Sequence, residues 1–355
     1  SKLLFKKARN AVTIPAGGAA SKEFFMIVYF DTVKRKRPVE DGGELVKLDW
    51  STKKVVKSLP LYPTEPDIEE DPNPRGNSRG GKGMLISGDE VFVGTYHTIL
   101  VYDLELNLKR RISNNLFVNI HEMCFAGRDI WVSSTTIDSA VLVDPQEKDL
   151  SKHLKTWWPR EEPLIQARFR VQPLEIDKTV DNRLLHLHKE ISSDDDHTHL
   201  NSVTKFADNT YVLLNKMGAF IQIEPELEFI FEDELLRGGH SPVVTGDGKQ
   251  FLVCSNFRKK SVLIFDLENR QFNKRIDLLD FAEVAELHEK HPDQPFNKSI
   301  FPRGLEILDE ERILVGISPA SILEIDIKRE KLLDFYQHSF DVGDAVHGLV
   351  HVKRP

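Results

Sequence analysis

The chain has 355 residues, 40% of them hydrophobic and 29% charged, an ordinary globular balance with length for one large all-β domain or two smaller ones. Its 48 Lys and Arg against 56 Asp and Glu leave a net charge of −8, spread along the chain, so no basic face points to nucleic acid. There is no run of 18 apolar residues and no charged-then-apolar leader, which argues against a membrane span or a secretory signal. The start "SKLLFKKARN" lacks a Met, which leaves room for an upstream targeting segment. Cys124 and Cys254, the two cysteines, each fall in an apolar strand pattern and read as small core residues in a reducing, cytoplasmic setting.

In chain order, "FFMIVYF" (24–30) and "GELVKLD", which closes on Asp49, form the first strand pair. A polar strand, "TKKVVKSLPL", follows. Residues 61–81, with "YPTEPDIEEDPNPRGNSRGG", read as a Pro/Gly/acid loop whose part "DIEEDPNPRGNSRGG" is too polar to pack. Five segments then repeat one pattern: "KGMLISGDEVFVGTYHTILVYD", "HEMCFAGRDIWVSSTTIDSAVLVD", "HLNSVTKFADNTYVLLNKMGAFIQIE", "HSPVVTGDGKQFLVCSNFRKKSVLIFD" and "RGLEILDEERILVGISPASILEID". Each is an apolar strand, a tight turn, a second apolar strand, a polar turn, and an alternating strand ending in an acid. Those acids are Asp103, Asp144, Glu224, Asp266 and Asp326. A more polar fourth strand follows, as in "NLKRRIS" or "EKLLDFYQ".

Between the second and third repeats lies a long connection, residues 145–198, carrying "WWPREEPLIQARFRV". Helical periodicity occurs only in "DLLDFAEVAELHEKH" (277–291), a short rim helix between two blades. The lone C-terminal strand "AVHGLVHVKRP" supplies the inner strand that the N-terminal unit lacks. Six units of four antiparallel strands, closed by that pairing, predict an all-β fold, a six-bladed β-propeller spanning 1–355 as one domain. A single blade cannot bury both faces, whereas six around an axis hide the faces and leave only short edges. The two long loops are expected at one rim, as covers for the channel.

The first strand of each blade lines the channel. Aligning these strands puts His121, His240, Arg303 and His347 at one height, with Asn201 in the same layer and His199 two residues before it on the same face. Lys82 or Arg79 comes from the remaining blade. Four of thirteen histidines thus fall at inner-strand heads of four blades. Convergent neutral imidazoles suit Fe(II) or Zn, with His121, His199, His240 and His347 as ligands. Glu122 and Glu306 are placed to orient imidazole N–H groups. Arg303 suits an anionic group on the substrate, and Asn201 a positioning role. Arg79, Lys82 and His197, the last beside the acids Asp194, Asp195 and Asp196, are expected at the substrate rim. The plainer alternative is that polar strand heads merely bind channel water.

"FPRGLEILDEERILVG" resembles the inner half of an NHL-type repeat, found in peptidyl-hydroxyglycine lyases and the gluconolactonase group. The lyase resemblance implies a metal on three inner-strand histidines with a nearby Arg, which matches His121, His240, His347 and Arg303. Gluconolactonases bind metal through Glu, Asn and Asp, and histidines replace most of that set here. "DHTHLNSV" is similar to the His-x-Asn-Ser-Val stretch of arylsulfotransferase-like propellers, matched by His199 and Asn201; that family uses a histidine nucleophile, and "YVLLN" departs from it by lacking an Arg. A four-His iron resembles the ligand set of carotenoid-cleaving oxygenases, which are longer and seven-bladed.

These readings lead to a metal-dependent enzyme acting on a small organic substrate, as an Fe(II) oxygenase or a Zn lyase or hydrolase. Two rivals are a metal-free sulfotransferase-like enzyme with a His nucleophile, and a non-catalytic scaffold binding a protein partner through the acidic loop 61–81.

Overall fold

An unclosed blade leaves a row of backbone donors and acceptors unpaired along its inner edge. A computed structural model describes residues 25–354, and in it Asp344–Arg354 pairs antiparallel with Phe25–Lys34, from Phe25↔Arg354 to Lys34↔Asp344. Blade 1 is therefore built as Asp344–Arg354, Phe25–Lys34, Glu44–Asp49 and Lys54–Pro60, joining the last strand to the first three. Five more four-stranded antiparallel sheets follow, with inner strands Met84–Ser87, Ile120–Ala126, Leu200–Phe206, His240–Val244 and Gly304–Ile307. The architecture is the expected six-bladed β-propeller, its ring closed by the C-terminal strand. The N-terminal stretch "SKLLFKKARN" lies outside the described residues.

The repeating acids have a local cause. Asp103 Oδ1 accepts the backbone N–H groups of Glu105 and Asn107, each at 2.9 Å. Asp266 does the same for Glu268 and Asn269, Asp326 for Lys328 and Arg329, and Asp49 for Ser51 and Thr52. Each carboxylate closes the turn from third to fourth strand, as Asx turns do. Glu224, which Pro225 follows, instead accepts from Thr210 Oγ1 at 2.6 Å and pairs with Lys155. Between blades, apolar faces stack: the Phe220 and Phe251 rings lie 4.0 Å apart at 10°. Cys254 is buried and Cys124 half-buried, and both are free thiols.

The connection 145–198 holds more structure than its sequence pattern suggests. It supplies the fourth strand of blade 3, Lys155–Trp157, and then a helix, Pro163–Phe169. Three residues are too few to show a strand period. The segment "DIEEDPNPRGNSRGG" of the loop 61–81 reads as too polar to pack, but the loop is seated on the core. Leu61 and Ile68 are buried, as are Asn73 and Ser78. Its polar groups bond one another and the rest of the chain: Asp71 Oδ2 accepts from Ser78 N and Oγ, and Asn73 Nδ2 donates to Lys189 O in the second long loop. Internal satisfaction of this kind removes the cost of covering polar groups. The rim helix forms over Ala282–Lys290. No helix among the described residues is long and apolar enough to cross a membrane.

His97 anchors the first of these loops. Its buried ring donates from Nε2 to Pro66 O, and Nδ1 lies 2.7 Å from Thr98 Oγ1. Burial holds this imidazole neutral down to about 4. An unfolded chain binds the proton near 6.5, so this contribution to stability is complete above 6.5 and is lost as pH falls toward 4. Denaturant titrations should show wild type losing stability against His97→Gln across that window, by on the order of 1 kcal/mol per pH unit at its steepest. Parallel curves would contradict the assignment.

Candidate functional site

Strict alternation along the inner strands would not deliver the predicted layer, because a one-residue slip turns a side chain into the sheet. The strands solve this with bulges at a common height. Register breaks fall between Ile120 and Met123, between Leu200 and Ser202, between His240 and Val243, and between Phe30 and Thr32 opposite His347 and Gly348. Bulges re-aim side chains and recur beside functional sites. In blade 1 Asp31 completes the bulge, its Oδ1 accepting the Gly348 N–H at 2.7 Å. Two glycines permit the tight spacing. A Cβ on Gly83, whose φ is +97, would lie 2.7 Å from His121 O, and one on Gly304 would lie 2.7 Å from His347 O.

The result is one set of four rings. His121 stands 5.7 Å from His199, 6.4 Å from His240 and 5.8 Å from His347, centroid to centroid, and His240 stands 5.7 Å from His347. They line a chamber of about 450 Å³ together with Arg35, Arg303, Phe301 and residues of both long loops, including Arg75 and Glu190. Beyond the ring layer the channel continues as a second compartment of about 240 Å³, and His347 borders both. His121 Nδ1 is 3.2 Å from Asn119 O, so that its N–H donates there and Nε2 keeps its lone pair. No other side-chain hydrogen bond to the four rings occurs among the described residues, and His347 Nδ1 is buried without a partner.

Burial holds all four imidazoles neutral. It lowers His121, His240 and His347 well below the ordinary range, with Lys82, Arg303 and His240 respectively the next largest cause, and lowers His199 to about 3. Lys82 is buried, donating to Asn77 O and Asn119 Oδ1, and desolvation brings it to about 7. Neutral imidazoles with free lone pairs are competent metal ligands, hydrogen-bond partners and nucleophiles. Among the described residues, however, no group of three or more His, Cys, Asp or Glu stands in metal-binding geometry.

The other expected residues divide. Arg303 lies in the chamber, buried, its guanidinium 3.9 Å over the Phe301 ring. Asn201 is in the layer, at the register break between Leu200 and Ser202, but its side chain is buried and donates to Gly239 O at 2.8 Å. Glu122 and Glu306 face the second compartment. Glu306 bonds His351 at 2.7 Å, not a chamber histidine, and Glu122 accepts from Ser241 Oγ; burial raises Glu122 to about 8. Arg79 is tied to Asp71 and Arg37 O, away from the chamber lining.

His197 is not at the rim. It is fully buried, its Nε2 donating to Thr136 O and its Nδ1 accepting the His199 N–H at 2.9 Å. Asp138 completes this support by accepting from Thr198 N, Thr198 Oγ1 and Leu200 N. Together they hold His199 in its left-handed conformation, φ +55, which a non-glycine residue adopts only when its surroundings fix it. Sequence reasoning missed Arg35 and Phe301. Arg35 follows a second strand, not an inner one, inside the run "KRKR", which reads as a solvated turn.

No protein-family model matches the chain, and no curated protein matches it in sequence. Solved structures do. A protein of unknown function from Bacteroides caccae aligns with TM-score 0.56 at 11% identity, over 92% of this chain and 99% of that one. A chain of a nidogen/laminin complex aligns at 0.53 and 8% identity, over 92% and 98%. The Cps50 (Swd1) β-propeller domain of Myceliophteria thermophila aligns at 0.47 and 12%, over 86% and 85%. At these identities the first two likenesses show the fold alone.

Asp138 should be costly to remove, since three donors lose an anionic acceptor in a buried place. Asp138→Ala is expected to lower the unfolding free energy by at least about 2 kcal/mol, and Asp208→Ala, on an exposed turn, by within about 0.5 kcal/mol. Equal effects in denaturant titration would contradict the support role.

Proposed function

We propose that the chain is a metal-dependent enzyme acting on a small organic anion in this chamber, with Fe(II) or Zn taken up by His121, His199, His240 and His347. The observation that carries the reading is the convergence of four neutral imidazoles from four blades, with ring nitrogens largely free of protein partners. Nitrogens about 2.0–2.1 Å from a tetrahedral ion would bring ring centroids to about 5 Å. The three pairs that His121 makes and the His240–His347 pair, now 5.7–6.4 Å apart, would draw inward by about 1 Å. His121 already donates its Nδ1–H to a backbone carbonyl, the usual device for fixing a ligand tautomer.

When bound, such an ion supplies Lewis acidity or open positions for dioxygen or water. The chain's own residues do the rest. Arg303 would hold the substrate's negative group or an oxyanion formed during reaction. Asn77, Arg75 and Glu190, from the two long loops, would cover the bound substrate at the mouth. Lyase, hydrolase and oxygenase chemistry all remain consistent with this arrangement. A metal-free transferase with a histidine nucleophile is the second reading, favoured by the ring spacing as it stands.

Elemental analysis of untagged protein separates them. About one Fe or Zn per chain is expected, lost in His121→Ala and in His240→Ala. Metal-free protein whose two variants keep full activity would sink the metal reading. A phosphorylated or sulfated histidine trapped in metal-free protein would establish the second.

A further inference from the structure

Arg303 is 7% exposed. Among the described residues its guanidinium makes no ion pair and no side-chain hydrogen bond, only the stack on Phe301. Arg35, half-buried in the same chamber, also makes neither. Around the mouth Arg75 pairs with Glu190 at 3.5 Å and Lys298 with Asp293 at 3.9 Å, while Lys216 donates to a neutral carbonyl, Asp194 O, at 2.6 Å. Lys82, behind the histidines, meets only neutral oxygens. Among the described residues, three guanidinium groups line the chamber, Arg35, Arg75 and Arg303, and of these only Arg75 has an acidic partner.

A buried cation without a counter-ion is costly, and two neighbouring ones oppose each other as well. Burial lowers Arg303 well below its ordinary range, and the charge of Arg35 adds to that. A fold keeps such an arrangement where a ligand supplies the missing charge. One carboxylate would balance one guanidinium. Two guanidinium forks and unpartnered ring nitrogens present more donors than two oxygens can use, whereas a tetrahedral oxyanion offers three or four. The mouth adds a second requirement. Phe296, 76% exposed, lines the chamber with Pro295 and Phe301, an apolar wall where the rest of the ligand would leave the head group.

We propose that the ligand is an organic phosphate or sulfate ester, its tetrahedral head gripped between Arg35 and Arg303 and its apolar body against Phe296. The assignment rests on the chamber being the substrate site, and it does not need the metal.

Chelator-treated protein would be titrated calorimetrically with phenyl phosphate, phenyl sulfate and benzoate. At least one ester is expected to bind ten times or more tighter than benzoate, and the tighter of the two identifies the head group. Arg303→Met and Arg35→Met should each weaken that ester at least tenfold. Without ligand, Arg303→Met should melt at or above the wild-type temperature, since an uncompensated buried charge is gone; a purely structural Arg303 would make it melt lower. Benzoate binding as well as both esters, no binding of either ester, or ester affinity surviving both substitutions would overturn the proposal. Metal content is measured separately, so wild-type protein that holds no Fe or Zn as purified and still binds the ester would remove the metal reading and leave this one.

Discussion

The backbone pairing between the two ends of the chain sets everything else. Residues near 350 complete the sheet begun near 25, and until they do, blade 1 has an open inner edge and the channel has no sixth wall. The same strand carries His347, so ring closure and completion of the histidine layer are one event. Asp31 joins the two, since its carboxylate takes the Gly348 N–H left over by the bulge. Burial raises that carboxyl to about 7, which marks how dry the seam is.

Closure sets up an electrostatic problem as well as a geometric one. Imidazoles crowded at one height with Lys82, Arg35 and Arg303 cannot hold protons, and burial keeps them neutral. The chamber therefore couples uncharged nitrogen donors to uncompensated guanidinium charge. That pairing suits a ligand with an electron-rich head. The two long loops belong to the same design, since Asn73 of one bonds Lys189 of the other and both contribute chamber wall.

Much of this could be read from residues alone, for a physical reason. Blade strands keep a period of two, and the third-strand acids recur because they cap identical turns, so the repeat, the ring and the inner-strand heads were all visible. The bulges were not, because a register break leaves no compositional mark. They are why Asn201 turns into the sheet while His121 and His347 face the chamber. His197 sits in an acidic run that looks solvated, yet it is buried because two backbone groups need its nitrogens. Arg35 was hidden because its role depends on where a neighbouring turn lies in space. The loop 61–81 looked unpackable by composition, and it packs because its polar groups satisfy one another.

The central claim, that imidazoles from separate blades hold one ion, is tested most directly by anomalous diffraction at the iron and zinc edges from crystals of protein as purified. The account predicts a single peak in the chamber, within bonding distance of at least three of His121, His199, His240 and His347, with their rings drawn closer than they now stand. A chamber without a peak, whose rings keep their present separation around ordered water, would contradict it.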